Sequence, residues 1–324
     1  MKRSPRNPII TRESIVSTAP GLADVSSVFN PGAVKVGSEY ILLLRVQNRA
    51  RETSLVVARS RDGLNFDIDL KPIHLAGLEN VSRKVYHIYD PRISPLDGTF
   101  YIMVAMDMDD GCFLGLAQTA DFREFTFKSI VSPVPSRNGV LFPERVDGKY
   151  LRLERPNRSD QNAGVTSGSE IHLAQSDDLL NWTSRGVVMA GRQHFWDELI
   201  ASGPPPVKTT EGWLHIYHGI ATHFASVNIY QAGVVLLDLK DTLKVIARSR
   251  YNILEPRESY EMVGQVPNVV FPSGMIIEKT DEDGFARPDS KVFVYYGAAD
   301  TAVGLATTTV RELIAACYEG ASGE

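Results

Sequence analysis

One carboxylate and three cationic side chains are the residues in this sequence whose types suit chemistry most directly. Asp90 lies between an aromatic residue and a Pro-Arg pair, where it could serve as a general acid or could simply cap a turn. Arg137, Arg155 and His218 carry donors that match an anion such as phosphate, although arginines are often only solvated and a histidine is often structural. Because the four lie far apart in the sequence, their chemistry depends on a fold that brings them together.

A short phrase that recurs three times indicates what that fold is. The phrase has an Ala, a Ser or Thr two residues later and an aromatic residue eight residues later, and it occupies 57–66, 116–125 and 173–182. Alternating apolar runs that begin at a turn accompany it at 37–45, 98–104, 148–155, 212–218 and 290–297. Period-2 runs separated by turn residues are typical of strands, and repeated small sheets close most simply as propeller blades. The sequence therefore predicts an all-β fold, a five-bladed β-propeller.

Composition and charge favour one globular unit. The 324 residues are 43% hydrophobic, carry a net charge of −5 and show no linker, so a single domain over 1–324 is expected. The acidic balance argues against nucleic-acid binding, and the absence of a long apolar run predicts a cytoplasmic protein without a membrane partner. Cys112 and Cys317 are expected to be reduced thiols. A Thr followed by an acid three residues later predicts a short C-terminal helix over 309–317.

A propeller directs the equivalent loops of every blade to one axial pocket, which predicts where the polar residues meet. The innermost strands are expected to open at 29–34, 89–93, 137–143, 201–205 and 266–272, each with a Pro or Gly beside a polar residue. The second strands are expected to end at equivalent positions with Arg45, Arg155, His218 and Asp300. Both sets should therefore open into the same pocket as Asp90.

Seven motifs in order along the chain resemble those of glycoside hydrolase family 130. They stand at 29–30, 89–92, 137–143, 155–156, 211–219, 266–272 and 295–301, and the match runs from about residue 8 to about residue 317. The resemblance implies a five-bladed propeller and either an inverting β-mannoside phosphorylase or a β-1,2-mannosidase.

The resemblance also implies roles for individual residues. It places the general acid at Asp90, with the proton reaching the glycosidic oxygen through a mannose hydroxyl, and phosphate at Arg137, Arg155 and His218. Inverting hydrolysis needs two carboxylates, an acid for the leaving oxygen and a base for water. Phosphorolysis needs only the acid, because inorganic phosphate is already an anionic nucleophile and has to be held by cations. Phosphate is then a co-substrate, and neither a metal nor another cofactor is expected.

A second group of residues is expected to hold the β-mannoside substrate. The resemblance suggests Asn30, Arg45 and Asp300 as partners of the donor mannose. Aromatic side chains suit the apolar face of a sugar ring, and Tyr89, Tyr230 and Phe271 are the candidates for the acceptor side, unless they belong to the propeller core. The mannosidic linkage, the acceptor sugar and a homo-oligomeric state are left open.

One departure from the family pattern keeps hydrolysis open. Where the phosphorylases have a Lys before an Ile-Gly-x-Gly-Pro segment, this chain reads Trp-Asp-Glu-Leu-Ile-Ala-Ser-Gly-Pro at 196–204. Asp197 or Glu198 lies near the place of that lysine, and Glu198 could be the base of an inverting β-mannosidase or only a surface acid. Pro31 and the loop 157–169 also depart from the pattern. A sugar-binding propeller without catalysis and a structural interaction propeller are the other function classes that fit the fold.

Overall fold

Five antiparallel sheets follow one another along the chain and surround a common axis, which confirms the five-bladed propeller. The computed structural model describes residues 1–17, 19–160, 164–166, 169–222 and 227–319, so part of the loop 157–169 lies outside the described residues. None of the helices in these ranges has the length and apolar character needed to cross a bilayer. That the whole of 1–324 forms one domain stays a prediction.

Each blade is a sheet whose strands succeed one another from the axis outward. Blade 1 contains Val25–Val36, Glu39–Asn48, Thr53–Ser60 and Asp67–Ile68. Blade 2 contains Val85–Leu96, Thr99–Met108, Gly111–Thr119, Phe125–Ile130 and, parallel to the last, Leu75–Ala76. Blade 3 contains Ser136–Leu141, Tyr150–Pro156, Glu170–Ser176 and Trp182–Ala190.

The last two blades differ at their edges. Blade 4 has a divided inner strand, Leu199–Ser202 and Val207–Thr209, followed by Gly212–Ala221, Ile229–Leu237 and Val245–Arg248. Blade 5 contains Val270–Ile277, Lys291–Ala298, Ala302–Thr309 and, from the other end of the chain, Lys2–Arg3. A separate hairpin pairs Arg158–Asp160 with Gly164–Thr166. The helices are Arg12–Ser14 and Leu78–Asn80, both 3₁₀, with Ser259–Met262 and Val310–Tyr318, which are α-helical.

The phrase that recurs in the sequence forms a hydrogen-bonded turn between the third and fourth strands of blades 1 to 3. In blade 1, Ser60 Oγ accepts from the amide of Gly63, and Asp62 Oδ1 accepts from the amides of Leu64 and Asn65. Thr119 with Asp121 in blade 2, and Ser176 with Asp178 in blade 3, accept backbone amides in the same way. The repeated phrase thus encodes the same hydrogen-bonded turn in each of the three blades.

The core lies between blades, because each sheet packs on a neighbour with both faces. One cluster joins Leu43 and Val57 of blade 1 to Val104 and Phe127 of blade 2. This two-sided burial explains why the strands contain apolar residues at consecutive as well as alternate positions. The predicted C-terminal helix is present over Val310–Tyr318, and it packs against blades 4 and 5. Both cysteines are free and buried, in agreement with their expected reduced state.

The first residues of the chain close the ring. Lys2 and Arg3 pair with Thr307 and Ala306 of blade 5, so that the last blade receives its outermost strand from the N-terminus. Arg3 also forms an ion pair of 2.8 Å with Glu261, whose side chain is 0% exposed. Glu261 receives a further hydrogen bond of 2.8 Å from the Tyr296 hydroxyl. The closure therefore joins backbone pairing to a buried charge pair.

Replacing Arg3 with Met should lower the free energy of unfolding by about 3 kcal/mol, because it leaves the buried Glu261 carboxylate without its cation. Urea denaturation at pH 7 measures this change. Arg12→Met is the matched control, since Arg12 and Glu13 form an ion pair with side chains 58% and 67% exposed, and its stability should stay close to that of the wild type. Equal stability of the Arg3 and Arg12 variants would contradict a role of this pair in closure.

Candidate active site

The inner strands of blades 1, 2 and 3 share one irregularity, a bulge at the level of the axial cavity. In blade 2, Tyr89 pairs with Ala105 and Arg92 with Met103, so that Asp90 and Pro91 together face a single residue. Asn30 of blade 1 and Asn138 of blade 3 lie at the same position of equivalent bulges. All three residues have left-handed backbones, with φ of 46°, 52° and 54° for Asn30, Asp90 and Asn138. Asn and Asp tolerate this conformation better than other residues with side chains, and a bulge re-aims the side chain it carries.

The bulges surround a cavity of about 290 Å³ on the axis. Ten of the residues predicted from the sequence line it, and these are Asn30, Arg45, Tyr89, Asp90, Arg137, Arg155, His218, Tyr230, Phe271 and Asp300. Glu198 is not among the described residues that line it. The convergence of the blades therefore brings together the residues expected to bind sugar and phosphate, while their roles stay predictions.

Asp90 is anchored through one of its two carboxylate oxygens. Its Oδ1 accepts hydrogen bonds from Asn30 Nδ2 at 3.0 Å and from Arg45 Nη1 at 2.9 Å. Its Oδ2 accepts none from any residue in the described part of the chain. The Arg45 guanidinium is itself held between the rings of Phe29 and Tyr89, at 4.4 and 4.5 Å from their centroids. The carboxyl group is thus fixed in orientation through Oδ1, and Oδ2 is free to accept a further hydrogen bond.

Three of the four second-strand residues occupy equivalent positions, as the repeats predicted. Each pairs with an inner-strand residue at or just before the level of the bulge: Arg45 with Phe29, Arg155 with Arg137, and His218 with Ala201. Asp300 does not occupy the equivalent position in blade 5, so the prediction that it would was wrong. The residue at that position is Gly297, which pairs with Phe271. A Cβ on Gly297 would lie 1.9 Å from Asn30 Oδ1, so the glycine makes room for the side chain of Asn30.

Arg155 is the most unusual cation of the cavity. It is 6% exposed, yet it forms no hydrogen bond or ion pair with any residue that the structure describes, and its buried Nε has no acceptor. Burial, together with the nearby charge of Arg137, lowers the pKa of Arg155 to about 10, so the guanidinium stays charged at neutral pH. Arg137 lies 3.5 Å from the Asp107 carboxylate, which compensates only part of the two positive charges. The wall of the cavity that Arg137 and Arg155 form therefore holds an excess of positive charge.

His218 also lines the cavity, and its imidazole is neutral. Its Nε2 lies 2.6 Å from the carbonyl oxygen of Pro272 and must donate to it, since a carbonyl can only accept. Burial, and next the positive charge of Arg92, hold the pKa of His218 well below its usual value, so Nδ1 carries a lone pair and has no partner among the described residues. The sequence suggested His218 as a donor to an anion, but in this structure its one N–H group is already used.

The three aromatic candidates are partly engaged by other side chains. One face of Tyr89 is covered by Arg45, and its hydroxyl donates to Asp107 at 2.8 Å. Phe271 stacks on the His218 ring with a centroid distance of 3.7 Å. Tyr89 therefore contacts a cation and Phe271 contacts a neutral imidazole, while Tyr230 lies against Phe271 in a tilted arrangement at 6.5 Å. A role of the three on the acceptor side stays a prediction.

The acids near the missing lysine do not reach the cavity. Asp197 is fully buried, and its carboxylate accepts hydrogen bonds from Arg192, Arg248 and the Tyr217 hydroxyl. It therefore joins strands of blade 4 to the loop that precedes them. Glu198 is partly exposed and accepts a hydrogen bond from the Thr222 hydroxyl. Among the described residues, no group of three His, Cys, Asp or Glu side chains could hold a metal ion.

Asp107 is a cavity residue that the sequence analysis missed. It lies on the second strand of blade 2, two residues beyond Ala105, and Ala105 is the residue equivalent to Arg45. Its carboxylate accepts a hydrogen bond from the Tyr89 hydroxyl. Its sequence signal was weak, because Asp107 is one of three acids at the end of an apolar run, a position that a hairpin turn explains equally well.

A five-bladed propeller whose axial cavity combines one anchored carboxylate with a buried arginine that has no partner among the described residues has the features of an enzyme that cleaves glycosides. A family model described as beta-1,4-mannooligosaccharide phosphorylase matches residues 1–319. The chain belongs to this family, glycoside hydrolase family 130, and is an enzyme, which confirms the resemblance drawn from its motifs.

Individual relatives agree with the family. The chain is 31% identical over 317 residues to the beta-1,4-mannooligosaccharide phosphorylase of Ruminococcus albus, covering 95% of this chain and 88% of the relative. It is 32% identical over 299 residues to a 1,2-beta-oligomannan phosphorylase of a Thermoanaerobacter species, covering 89% and 92%. The structure of the beta-1,2-mannobiose phosphorylase of Listeria innocua with beta-1,2-mannobiose superposes with a TM-score of 0.83 at 25% identity, covering 98% and 99%.

The Asp300 carboxyl group should make the stability of the protein depend on pH. Burial raises its pKa to about 6, against a partial opposing effect of Arg45, so the folded state holds this proton more tightly than the unfolded state. The wild type should therefore lose stability relative to Asp300→Asn as the pH rises from about 4 to about 6, by up to about 3 kcal/mol.

Urea denaturation of both proteins across this range measures the difference. Asp121→Asn is a control of opposite sign, because backbone amides lower the pKa of Asp121 and its contribution to stability is lost as the pH falls. A constant difference between the wild type and Asp300→Asn would contradict a raised pKa for Asp300.

Proposed function

We propose that the protein is an inverting β-mannoside phosphorylase, which cleaves a β-mannosyl disaccharide or oligosaccharide with inorganic phosphate and releases mannose 1-phosphate. The observation that carries this proposal is Arg155, a buried guanidinium without an anionic partner in the described part of the chain, beside the half-paired Arg137. Keeping such a charge out of water is costly unless a ligand compensates it. A phosphate dianion matches both the charge and the fork geometry of two arginines.

The carboxylate arrangement supports the same reaction. In phosphorolysis a phosphate oxygen attacks the anomeric carbon while the glycosidic bond breaks, and the leaving oxygen takes a proton. Asp90 supplies that proton through a mannose hydroxyl, from the oxygen that its anchoring by Asn30 and Arg45 leaves free. Phosphate needs no base, which agrees with a wall made of Arg137 and Arg155. The relatives named above act as phosphorylases on 1,4- and 1,2-linked mannosides, so both linkages belong in the substrate panel.

Neutral His218 fits this site as an acceptor. With Nε2–H donating to Pro272, the free Nδ1 can receive a hydrogen bond from the proton that a phosphate monoanion or dianion still carries. Two arginines then meet the charged oxygens, while the imidazole meets the protonated one. This division of contacts would orient one unprotonated oxygen toward the anomeric carbon.

Mannoside cleavage should depend on phosphate, and Arg137→Ala should raise the apparent KM for phosphate roughly 10- to 150-fold, because one charge-assisted contact is worth about 1.5–3 kcal/mol. The KM for the mannoside should change little. Initial rates of mannose 1-phosphate formation at varied phosphate measure both constants. Arg61→Ala is the control, since Arg61 is an exposed residue that bonds to Ser38 outside the cavity.

Hydrolysis is the alternative outcome of the same assay. Free mannose released at a rate independent of phosphate would overturn the proposal and indicate an inverting β-mannosidase. Glu198, the base suggested for that reaction, lies outside the described lining of the cavity, whereas Asp107 and Asp300 lie within it. Loss of hydrolysis in Glu198→Gln, Asp107→Asn or Asp300→Asn would then identify the base.

Replacing Asp90 with Asn should lower turnover by 100-fold or more, because the amide cannot supply a proton and general acid catalysis contributes about 10²- to 10⁴-fold. The fold and the binding of the mannoside should persist, which thermal denaturation with and without the sugar can show. Asp69→Asn changes an exposed carboxylate paired with Arg59 and should leave turnover unaltered. Wild-type turnover in Asp90→Asn would exclude Asp90 as the acid.

A further inference from the structure

Arg92 lies on the inner strand of blade 2 directly after the bulge that carries Asp90, and neither the sequence motifs nor the proposed reaction gives it a role. It is 1% exposed and points to the axis rather than to solvent. Asp90, two residues before it, lines the catalytic cavity, whereas Ile93 and Pro95, just after it, line a cavity at the other end of the axis. Arg92 therefore occupies the floor between the two cavities.

Among the described residues, the guanidinium of Arg92 donates hydrogen bonds only to backbone carbonyls, and it also lies 5.5 Å from the centroid of the Phe271 ring. Its Nη1 donates to the carbonyl oxygens of Asp90 at 3.1 Å and Pro91 at 3.3 Å, the two residues of the bulge. Its Nε donates at 2.8 Å to the carbonyl of Gly203 in blade 4. One side chain thus joins the bulge of blade 2 to the segment of blade 4 that connects the two parts of its divided inner strand.

The charge of Arg92 is left without a bonded carboxylate. No acid in the described residues forms an ion pair with it, and its buried Nη2 has no acceptor. Burial lowers its pKa to about 10, which still leaves it charged at neutral pH. A buried charge that is only partly satisfied destabilises the fold, and such a cost is most often found where function requires it. Arg92 is therefore a poor choice for stability alone.

The neighbouring blades are shaped around this arrangement. Blade 1 has Gly32 at the position equivalent to Arg92, and a Cβ there would lie 2.9 Å from the carbonyl oxygen of Pro91. Blade 3 has Val140 at that position. Only blade 2 among these three sends a long side chain across the axis, and blade 2 is the one whose bulge carries a carboxylate.

We propose that Arg92 is a positioning residue for the reaction, which holds the left-handed backbone of Asp90 in place through the carbonyls of Asp90 and Pro91 and fixes it to blade 4. This inference rests on the proposed role of Asp90 as the acid. A carboxyl group that must deliver a proton to one hydroxyl needs its backbone fixed, since a displacement of about 1 Å can cost about 10²-fold in rate. Arg45 and Asn30 orient the carboxylate, and Arg92 fixes the chain that bears it.

Two substitutions separate positioning from general stability. Arg92→Lys keeps the charge, but a single ammonium group lacks the fork that reaches both the bulge and Gly203. Arg92→Met also removes the charge and leaves all three carbonyls without their donor. Turnover should fall about 10-fold in the Lys variant and about 100-fold in the Met variant, while the KM for phosphate changes less than about threefold. The partial activity of the Lys variant is the expected rescue by a conservative change.

Arg152→Met is the matched control. Arg152 is an equally buried arginine, 0% exposed, which bonds to Glu154 and to the carbonyl of Val131 and does not line the cavity. Its replacement should lower the free energy of unfolding and leave turnover of the folded fraction unchanged. Turnover is measured as β-mannoside cleavage with either product, so the comparison of turnover does not depend on phosphate being the nucleophile, and only the comparison of KM for phosphate does.

The outcomes distinguish this inference from the proposed function. Turnover within twofold of the wild type in Arg92→Lys overturns the positioning role, as does an equal fall of turnover in Arg92→Met and Arg152→Met. If Arg92→Met does not fold, the Lys variant alone decides. An active Asp90→Asn enzyme would contradict the proposed acid, whereas an inactive Asp90→Asn together with fully active Arg92 variants would contradict only the inference about Arg92.

Discussion

The bulge in the inner strands is the constraint on which the site depends. A regular strand would direct successive side chains alternately into the two inter-blade cores, and the residue at the level of the cavity would have no reason to face the axis. The left-handed backbone at Asn30, Asp90 and Asn138 breaks this alternation in three blades. Only short polar side chains and glycine adopt that conformation readily, so the same geometry that opens the cavity also selects the residue types that line it.

The second feature of the site is an uneven distribution of charge around the axis. On one side Arg45 is neutralised by Asp90, and its guanidinium is sandwiched between two aromatic rings. Arg155, by contrast, has no partner among the described residues, and the hydrogen bonds of Arg92 within the same part of the chain go only to backbone carbonyls. Burial, and next the positive charge of Arg92, lower the pKa of His218 and keep its imidazole neutral. The propeller thus provides a rigid, partly desolvated recess in which an anion gains more than it would in water.

The sequence predicted which residues line the cavity better than it predicted their pairing and their protonation. Equivalent positions in repeats become neighbours in a closed ring, so the repeats alone group Arg45, Arg155 and His218. Asp300 was grouped with them for the wrong reason, since it reaches the cavity from a hairpin turn while Gly297 occupies the equivalent position. Asp107 was missed because its local sequence is that of an ordinary turn. Asp300 thus enters the cavity from a turn that lies outside the repeat, whereas Asp107 enters it from a strand residue whose local sequence resembles a turn.

The sequence by itself determined the number of blades, the C-terminal helix and ten of the residues that line the cavity, because alternation, turn residues, repeats and family motifs are patterns within the chain itself. Only the tertiary structure decided which charges are paired. Arg155 has no partner in the part of the chain that the structure describes, and His218 donates its N–H to Pro272. Glu198 is absent from the described lining, and Arg92 reaches the carbonyl of Gly203 in another blade. Pairing and burial depend on atoms contributed by distant blades, and no local pattern in the chain encodes those distances.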